Sequence, residues 1–167
     1  MKFEHLQHLN VSALFSKNGK FRYQLSISKK DTKNDKTLCV IMKNPSIANE
    51  LVADKSVQFL EKLIFEKNYP EFKDVNKIIV VNQFAFIQTN NFEGNDNEIG
   101  SENDYYVLKA INESQIILIA WGRSNTHIER KETILKFIRT QKNKKIYQTK
   151  KHPSRGFYSD FIEKYVI

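Results

Sequence analysis

Three uninterrupted apolar runs most constrain the fold of this chain. They occupy residues 38–42, 78–81 and 116–120, and a short fourth strand is predicted at 146–148. Segments whose apolar residues have helical spacing separate these strands in the sequence. They lie at residues 54–68, directly after Ser101, and at residues 126–141. Apolar strands that alternate with amphipathic helices indicate an α/β fold. We therefore expect a three-layer sandwich with a central, mostly parallel four-stranded sheet.

The two ends of the chain add to this plan. Residues 14–27 alternate apolar and polar side chains around Asn18-Gly19, which predicts a β-hairpin. A final helix is predicted near residues 157–165. We expect one domain over residues 1–167, with residues 1–36 as an N-terminal hairpin appendage.

Positive charge is concentrated in one part of the sequence. Residues 123–155 contain eleven basic and two acidic side chains, a net charge of +9, whereas residues 1–122 are balanced. Such a distribution indicates a polyanion-binding surface, although lysine-rich surfaces also serve solubility alone. The candidate DNA-binding residues are Arg123, Lys144, Lys145, Lys150, Lys151 and Arg155.

Other classes of protein are disfavoured. The single cysteine, Cys39, excludes an internal disulfide and a multi-cysteine zinc site. No apolar run approaches the ~20 residues of a membrane helix, and residues 1–10 lack the apolar stretch of a signal peptide. No phosphate-binding glycine loop or metal-ligand spacing is present in the sequence. We expect a cytoplasmic monomer without cofactor, metal or membrane association.

Polar or aromatic residues follow each predicted strand: Asn44, Asn82, Trp121 and His152. The carboxyl ends of parallel strands meet at one edge of a sheet, where such folds bind ligands. An asparagine amide both donates and accepts, as needed to recognise a base edge or to hold a water molecule. The sequence therefore predicts a site at this edge.

The strings around these positions resemble a known family. Ile41-Met42-Lys43-Asn44-Pro45-Ser46, Asp54-Lys55-Ser56 and Val81-Asn82-Gln83-Phe84-Ala85, followed by Gly100-Ser101-Glu102-Asn103-Asp104 and Trp121-Gly122, are similar to domain-of-unknown-function family 1643. This likeness covers most of the chain from about Leu38. It implies no function by itself.

A broader resemblance is to the uracil-DNA glycosylase superfamily. Asn44-Pro45, Asn82 and His152-Pro153-Ser154 match its first motif, its base-binding asparagine and its second motif. The resemblance implies catalytic roles for Asn44 and His152, with base recognition by Asn82, and a loop at Arg155 that enters the DNA minor groove. No Tyr-His follows Pro45, so the feature that excludes thymine in strict uracil enzymes is missing.

Several candidate residues have a structural alternative. Asp54 either caps the following helix or orients water in place of Asn44. The alternative role of Asn44 is to form a turn before proline, and that of His152 is an exposed loop histidine. The alternative for Asn82 is a buried amide that ties loop backbones together. The remaining candidates for substrate binding are Pro45, Ser46, Asn103, Trp121 and Ser154, of which Trp121 also suits the core and Asn103 a helix cap.

The expected function is a DNA glycosylase that extrudes a modified or damaged base and hydrolyses its N-glycosidic bond. Base repair and defence against phage DNA with modified bases both suit such an enzyme. Two alternatives stay open. One is a non-catalytic nucleic-acid-binding module on the same fold, and the other is an enzyme that acts on free nucleosides or nucleotides.

Overall fold

A computed structural model describes residues 1–33 and 36–167; the end of the expected 1–36 appendage therefore lies partly outside the described residues. Its centre is a seven-stranded sheet in the order β1-β2-β4-β3-β5-β6-β7. The strands are β1 (Leu9–Phe15), β2 (Arg22–Lys29), β3 (Lys36–Met42), β4 (Val75–Asn82), β5 (Ile116–Ile119), β6 (Lys145–Thr149) and β7 (Ile162–Lys164). The helices are α1 (Lys55–Phe65), α2 (Asn103–Glu113) and α3 (Ile128–Arg139).

The sheet is mixed rather than a four-stranded parallel sheet. The four predicted strands, β4, β3, β5 and β6, are neighbours and run parallel. However, β1 and β2 extend one edge and β7 the other, all in antiparallel pairs. The fold is therefore a mixed α/β fold with a seven-stranded sheet and three helices. The prediction of an α/β class is confirmed, and the expected strand count is too small.

Helices cover both faces because side chains alternate along the strands. Leu38, Val40 and Met42 of β3 point towards α1, whose apolar side includes Val57, Leu60 and Leu63. Cys39 and Ile41 of the same strand point towards α2 and α3 on the opposite face. The buried Cys39 thiol has a raised pKa because burial disfavours the thiolate.

The predicted hairpin forms and is part of the main sheet. Gly19 takes the positive φ of 71° that the turn requires, whereas Asn18 does not. The strand β2 pairs with β4, Leu25 opposite Val80. The hairpin therefore lies at an edge of the parallel strands and starts earlier than residue 14.

One extra residue in β2 interrupts its alternation. Leu14 pairs with Gln24 but Phe15 pairs with Arg22, so Tyr23 has no partner in β1. This is a β-bulge, which turns neighbouring side chains to new faces. Tyr23 stacks on Tyr106 of α2, with ring centroids 5.2 Å apart, and Arg22 points to the other side, into a cleft described below.

The predicted helix at 157–165 is wrong. Asp160 has a left-handed φ of 52°, which ends any right-handed helix there. Residues 162–164 instead pair antiparallel with β6, Thr149 opposite Ile162. Phe161 is fully buried and packs edge-to-face on Phe59 of α1. The segment is a strand rather than a helix because this conformation buries Phe161 and pairs residues 162–164 with β6.

The N-terminal segment is held against α1. The His5 ring contacts the carboxylate of Glu61, which is fully buried, through Nδ1 at 2.5 Å. The other ring nitrogen donates to the Asn49 carbonyl at 2.8 Å, and the Leu6 amide donates to Glu61 at 3.1 Å. Among the described helices, none is both long and apolar enough to cross a membrane.

Candidate functional site

A cleft of about 610 Å³ opens at the carboxyl end of β3. The segment after β3, the start of α1 and the loop after β6 form its walls. The cleft brings together seven of the residues expected from the sequence: Asn44, Pro45, Ser46, Asp54, His152, Ser154 and Arg155. Residues more than 100 positions apart in sequence therefore share one cavity.

The Asn44 amide has a fixed orientation. Its Nδ2 donates to the Gln88 carbonyl at 2.7 Å and to the Pro45 carbonyl at 3.2 Å. Because carbonyl oxygens only accept, the nitrogen must lie on that side of the amide. Oδ1 then remains as an acceptor on the side of the half-buried residue away from these carbonyls. This arrangement suits an oxygen that receives a hydrogen bond from water or substrate.

His152 is held as a neutral ring of defined tautomer. It precedes the 3₁₀ turn Pro153–Arg155, and its Nδ1 accepts from the Ser154 amide at 3.2 Å. The Ser154 hydroxyl lies 2.9 Å from the same nitrogen. Since Nδ1 accepts, the proton of the neutral ring is on Nε2. Burial lowers the pKa of His152 to about 4, with further lowering by Arg155 and Lys43 and an opposing effect of Asp54.

Asp54 both caps α1 and lines the cleft. Its Oδ1 accepts from the Val57 amide at 2.9 Å, which is the hydrogen bond expected of an N-cap residue. Within the described residues, Oδ2 has no hydrogen-bond donor. Of the two alternatives that the sequence left open, the structure shows the cap, and one carboxylate oxygen remains for other contacts.

Arg22 is a cleft residue that the sequence did not reveal. Only about 1% of it is exposed, and its Nη1 donates to the Ala48 carbonyl at 2.7 Å. Burial lowers the pKa of the guanidinium to about 10, against the attraction of Asp54. The alternation of Phe21, Tyr23 and Leu25 predicts Arg22 on the outer face, and only the bulge brings it inward.

The cleft is strongly cationic. The described residues that line it include four cationic side chains, Arg22, Lys43, Lys55 and Arg155, and one carboxylate, that of Asp54. Lys43 also lies over the Phe92 ring, 5.0 Å from its centroid. Lys43 adjoins the Asn44 motif, so its sequence position could have indicated its place in the site. Phe92 lies in an asparagine-rich stretch, residues 89–97, and nothing in its sequence position indicates that it is near the site.

Asn82 is buried beneath the cleft rather than exposed in it. It is opposite Met42 in the parallel pair, so it faces the α1 side, and it is about 1% exposed. Both polar atoms of its side chain lack a partner among the described residues. Asn103 is fully buried as well and donates to the Asn82 and Gln83 carbonyls at 3.0 and 3.2 Å. Asn103 therefore ties the end of β4 to α2.

Trp121 lies in the core. It packs with the cluster between the sheet and the helices α2 and α3, and about 9% of it is exposed. Its neighbour Gly122 has a φ of 83° and lies close to His152: a Cβ added there would be 3.5 Å from the His152 Cβ. This loop therefore supports His152 without placing the indole in the cleft.

The basic residues of 123–155 do not form one surface. Lys144 and Lys145 lie at the amino end of β6, at the edge of the sheet opposite the cleft. The Lys144 ammonium donates to the Ser114 and Asn112 carbonyls at the end of α2, at 2.6 and 2.9 Å. Of the six candidates, only Arg155 lines the cleft.

Three other basic candidates flank the cleft side of the sheet. Lys150 follows β6 and pairs with Asp160, and Arg123 pairs with Glu163 of β7. Lys151 is exposed, and its ammonium lies 5.9 Å from the centroid of the Phe157 ring. Lys151 and Arg155 are therefore the candidates best placed to meet a polyanion at the cleft.

A larger hollow of about 730 Å³ lies near the amino ends of the strands. Among the described residues that line it, Asp74 is the one carboxylate, 3.9 Å from Lys36, and none is a histidine. The smaller cleft is the better candidate because it combines donors, acceptors and a perturbed histidine. No group of three His, Cys, Asp or Glu side chains within residues 1–33 and 36–167 is placed to hold a metal ion.

Comparison with protein families gives one match. Residues 22–155 match the family model described as DUF1643, protein of unknown function. Searches of curated proteins and of solved structures found no significant match. The matched segment starts at Arg22 and ends at Arg155, so it includes both of these cleft residues and the positions between them. The chain belongs to the DUF1643 family.

Proposed function

We propose that this protein is a DNA glycosylase that extrudes a modified or damaged base and hydrolyses its N-glycosidic bond. The observation that carries the proposal is the shared cleft of Asn44, Asp54 and a neutral His152. These groups supply the parts that the reaction requires: acceptors for water and a donor for the leaving base.

The leaving base develops negative charge as the glycosidic bond breaks. The Nε2–H of His152 is the donor for that charge, since Nδ1 is occupied by Ser154. Because the ring is neutral at pH 7 and Nδ1 accepts, Nε2 carries the one ring N–H, which is therefore available to the leaving base. One preorganised donor of this kind contributes about 2.7–4 kcal/mol to transition-state stabilisation.

Water is positioned from the other side of the cleft. The Asn44 Oδ1 accepts a hydrogen bond from water but cannot take up a proton at pH 7. The Asp54 carboxylate has one oxygen beyond its cap bond and supplies the negative charge that Asn44 lacks. We therefore assign orientation of the water to Asn44 and stabilisation of the developing sugar cation to Asp54.

The arrangement of the central strands supports the resemblance to uracil-DNA glycosylases. Four adjacent parallel strands have helices on both faces; Asn44 and His152 follow the ends of β3 and β6, and Asn82 is the last residue of β4. Base recognition by Asn82 requires the end of β4 to open, because both polar atoms of that side chain are buried. The substrate is DNA, bound by a cytoplasmic monomer, in base repair or in defence against phage DNA.

An abasic-site assay tests the proposal. Duplexes that each contain one modified base are incubated with the protein, and alkali then cleaves any abasic site. We expect strand cleavage with at least one base for the natural chain and about 10²–10³-fold slower base release for His152→Ala. Absence of cleavage across deaminated, oxidised, alkylated and hydroxymethylated bases would contradict the proposal.

A second candidate is hydrolysis of free nucleotides. It is favoured by the position of Lys144 and Lys145, which lie away from the cleft and leave fewer cations for a duplex. Release of base from deoxynucleoside monophosphates, without release from duplex DNA, would support this candidate over the first.

A further inference from the structure

The guanidinium of Arg22 has two buried donors with no partner in the described part of the chain. Nη1 donates to Ala48, but Nε and Nη2 make no hydrogen bond to the described residues and are shielded from solvent. Arg22 also forms no ion pair with a described carboxylate, although Asp54 attracts it from a distance. Buried charges in proteins are normally paired, so a cleft-lining side chain in this state calls for an explanation.

The two unpaired nitrogens form one edge of the guanidinium plane. Nε–H and Nη2–H point in parallel directions, which matches two oxygens of a phosphate or carboxylate. Arginine is preferred over lysine at such sites because its fork is rigid. The hydrogen bond from Nη1 to the Ala48 carbonyl fixes the guanidinium plane and leaves the Nε–Nη2 edge available to a ligand.

The surrounding charge favours an anion over a neutral partner. Lys43 and Arg155 line the same cleft, and Asp54 is its only carboxylate among the described residues. Asp54 opposes an anion, but its Oδ1 is engaged by the Val57 amide. The net charge of the four cations and Asp54 is +3.

We propose that Arg22 binds a phosphate group of a nucleotide substrate at the base of the cleft, through Nε and Nη2. This inference rests on the proposed function in that the ligand is a nucleotide. Since solvent reaches only about 1% of Arg22, the phosphate displaces cleft side chains as it enters. Binding is therefore coupled to a local movement.

Two ligands are used to distinguish a terminal phosphate from a backbone phosphate. Deoxyadenosine 5′-monophosphate carries a terminal phosphate, and a duplex with a tetrahydrofuran abasic analogue carries backbone phosphates without a base to excise. Deoxyadenosine is the phosphate-free control. Titration calorimetry is carried out with the natural chain, Arg22→Met, Arg22→Lys and the control Lys145→Met, which removes an exposed cation at the opposite edge.

We expect Arg22→Met to bind one of the two phosphate ligands about 10- to 100-fold more weakly than the natural chain does. Arg22→Lys should show a smaller loss of affinity for that ligand. Lys145→Met should bind that ligand like the natural chain. Loss with the monophosphate identifies a terminal phosphate, and loss with the duplex identifies a backbone phosphate. Circular dichroism checks that each variant is folded; if Arg22→Met is not, Arg22→Lys decides, since it keeps the charge but not the fork.

The inference is overturned if folded Arg22 variants bind both phosphate ligands as the natural chain does, or if Lys145→Met shows the same loss. These results are independent of base release. Phosphate binding that depends on Arg22, without any base release, would refute the glycosylase and not this site. Base release that is unaffected in Arg22→Met, with unchanged binding, would refute this site and not the glycosylase.

Discussion

The Nδ1 atom of His152 lies 3.2 Å from the backbone nitrogen of Ser154 and accepts a hydrogen bond from that amide. This contact leaves Nε2–H as the only donor of the neutral ring. His152→Gln should therefore retain part of the activity that His152→Ala loses, because a glutamine amide also donates. Single-turnover base release measures both variants, and equal rates in the two would contradict a donor role.

The pH dependence of stability should report on His152. Its pKa is about 4 in the folded chain and about 6.5 in the unfolded chain, so the unfolded chain binds the proton first as pH falls. The free energy of unfolding should decline between about pH 6.5 and 4 and lose this dependence below 4. Urea titrations of the natural chain and His152→Gln should diverge over that range. Parallel curves would show that the ring is not held neutral.

Asp54→Asn separates the cap from the charge. Asparagine caps helices as well as aspartate does, so the stability should change by less than about 0.5 kcal/mol, whereas Asp54→Ala should cost about 1 kcal/mol. Base release should nevertheless fall by about 10²-fold in Asp54→Asn, since the carboxylate is lost. Chemical denaturation and single-turnover assays give the two numbers. An undiminished rate in Asp54→Asn would contradict the role of the Asp54 carboxylate in stabilising the sugar cation.

Removal of a positive charge should weaken DNA binding at the cleft side of the sheet and not at the opposite edge. Lys151 lies beside the cleft, and Lys145 lies at the opposite edge. Lys151→Glu should weaken binding and reduce the salt slope by about 0.9 if one phosphate contact is lost. Lys145→Glu makes the same charge change and should bind like the natural chain. Fluorescence anisotropy over a range of salt concentrations measures both affinities. Equal losses of DNA affinity in the two variants would show that DNA does not bind at the cleft side of the sheet.

Gly156 allows the His152 loop to approach α1. Its φ of −72° suits any residue, but an added Cβ would overlap the Phe59 ring. Gly156→Ala should therefore destabilise the chain by about 1–3 kcal/mol and slow base release, because the loop must shift. Phe59→Leu should relieve part of this loss in the double variant. A double-mutant cycle of unfolding free energies gives the coupling, and additive effects would exclude direct overlap.

The sequence predicted what depends on local patterns. Apolar runs located β3, β4, β5 and β6, and the residues after β3 and β6 met in one cleft as the rule for parallel strands requires. It also placed α1, α2 and α3 to within a few residues. These features follow from periodicity within a single segment.

The remaining features depend on contacts between distant segments. Arg22 enters the cleft only because β2 carries a bulge opposite β1, and the Phe21–Ile27 alternation gives no sign of it. The final segment becomes a strand because Ile162 pairs with Thr149 and Phe161 packs on Phe59. Asn82 lies at the carboxyl end of β4, but tertiary packing covers its amide. Pattern rules for one segment contain none of this information.

Cys39, the single cysteine of the sequence, lies fully buried between β3 and the helices, with a raised pKa. Because maleimides react with exposed thiolates, the natural chain should be almost inert to them. A cysteine introduced at an exposed position beside the cleft, such as Lys151→Cys, would then be the only site to take a dye. Fluorescent reporters of substrate entry can thus be attached without first removing a native thiol.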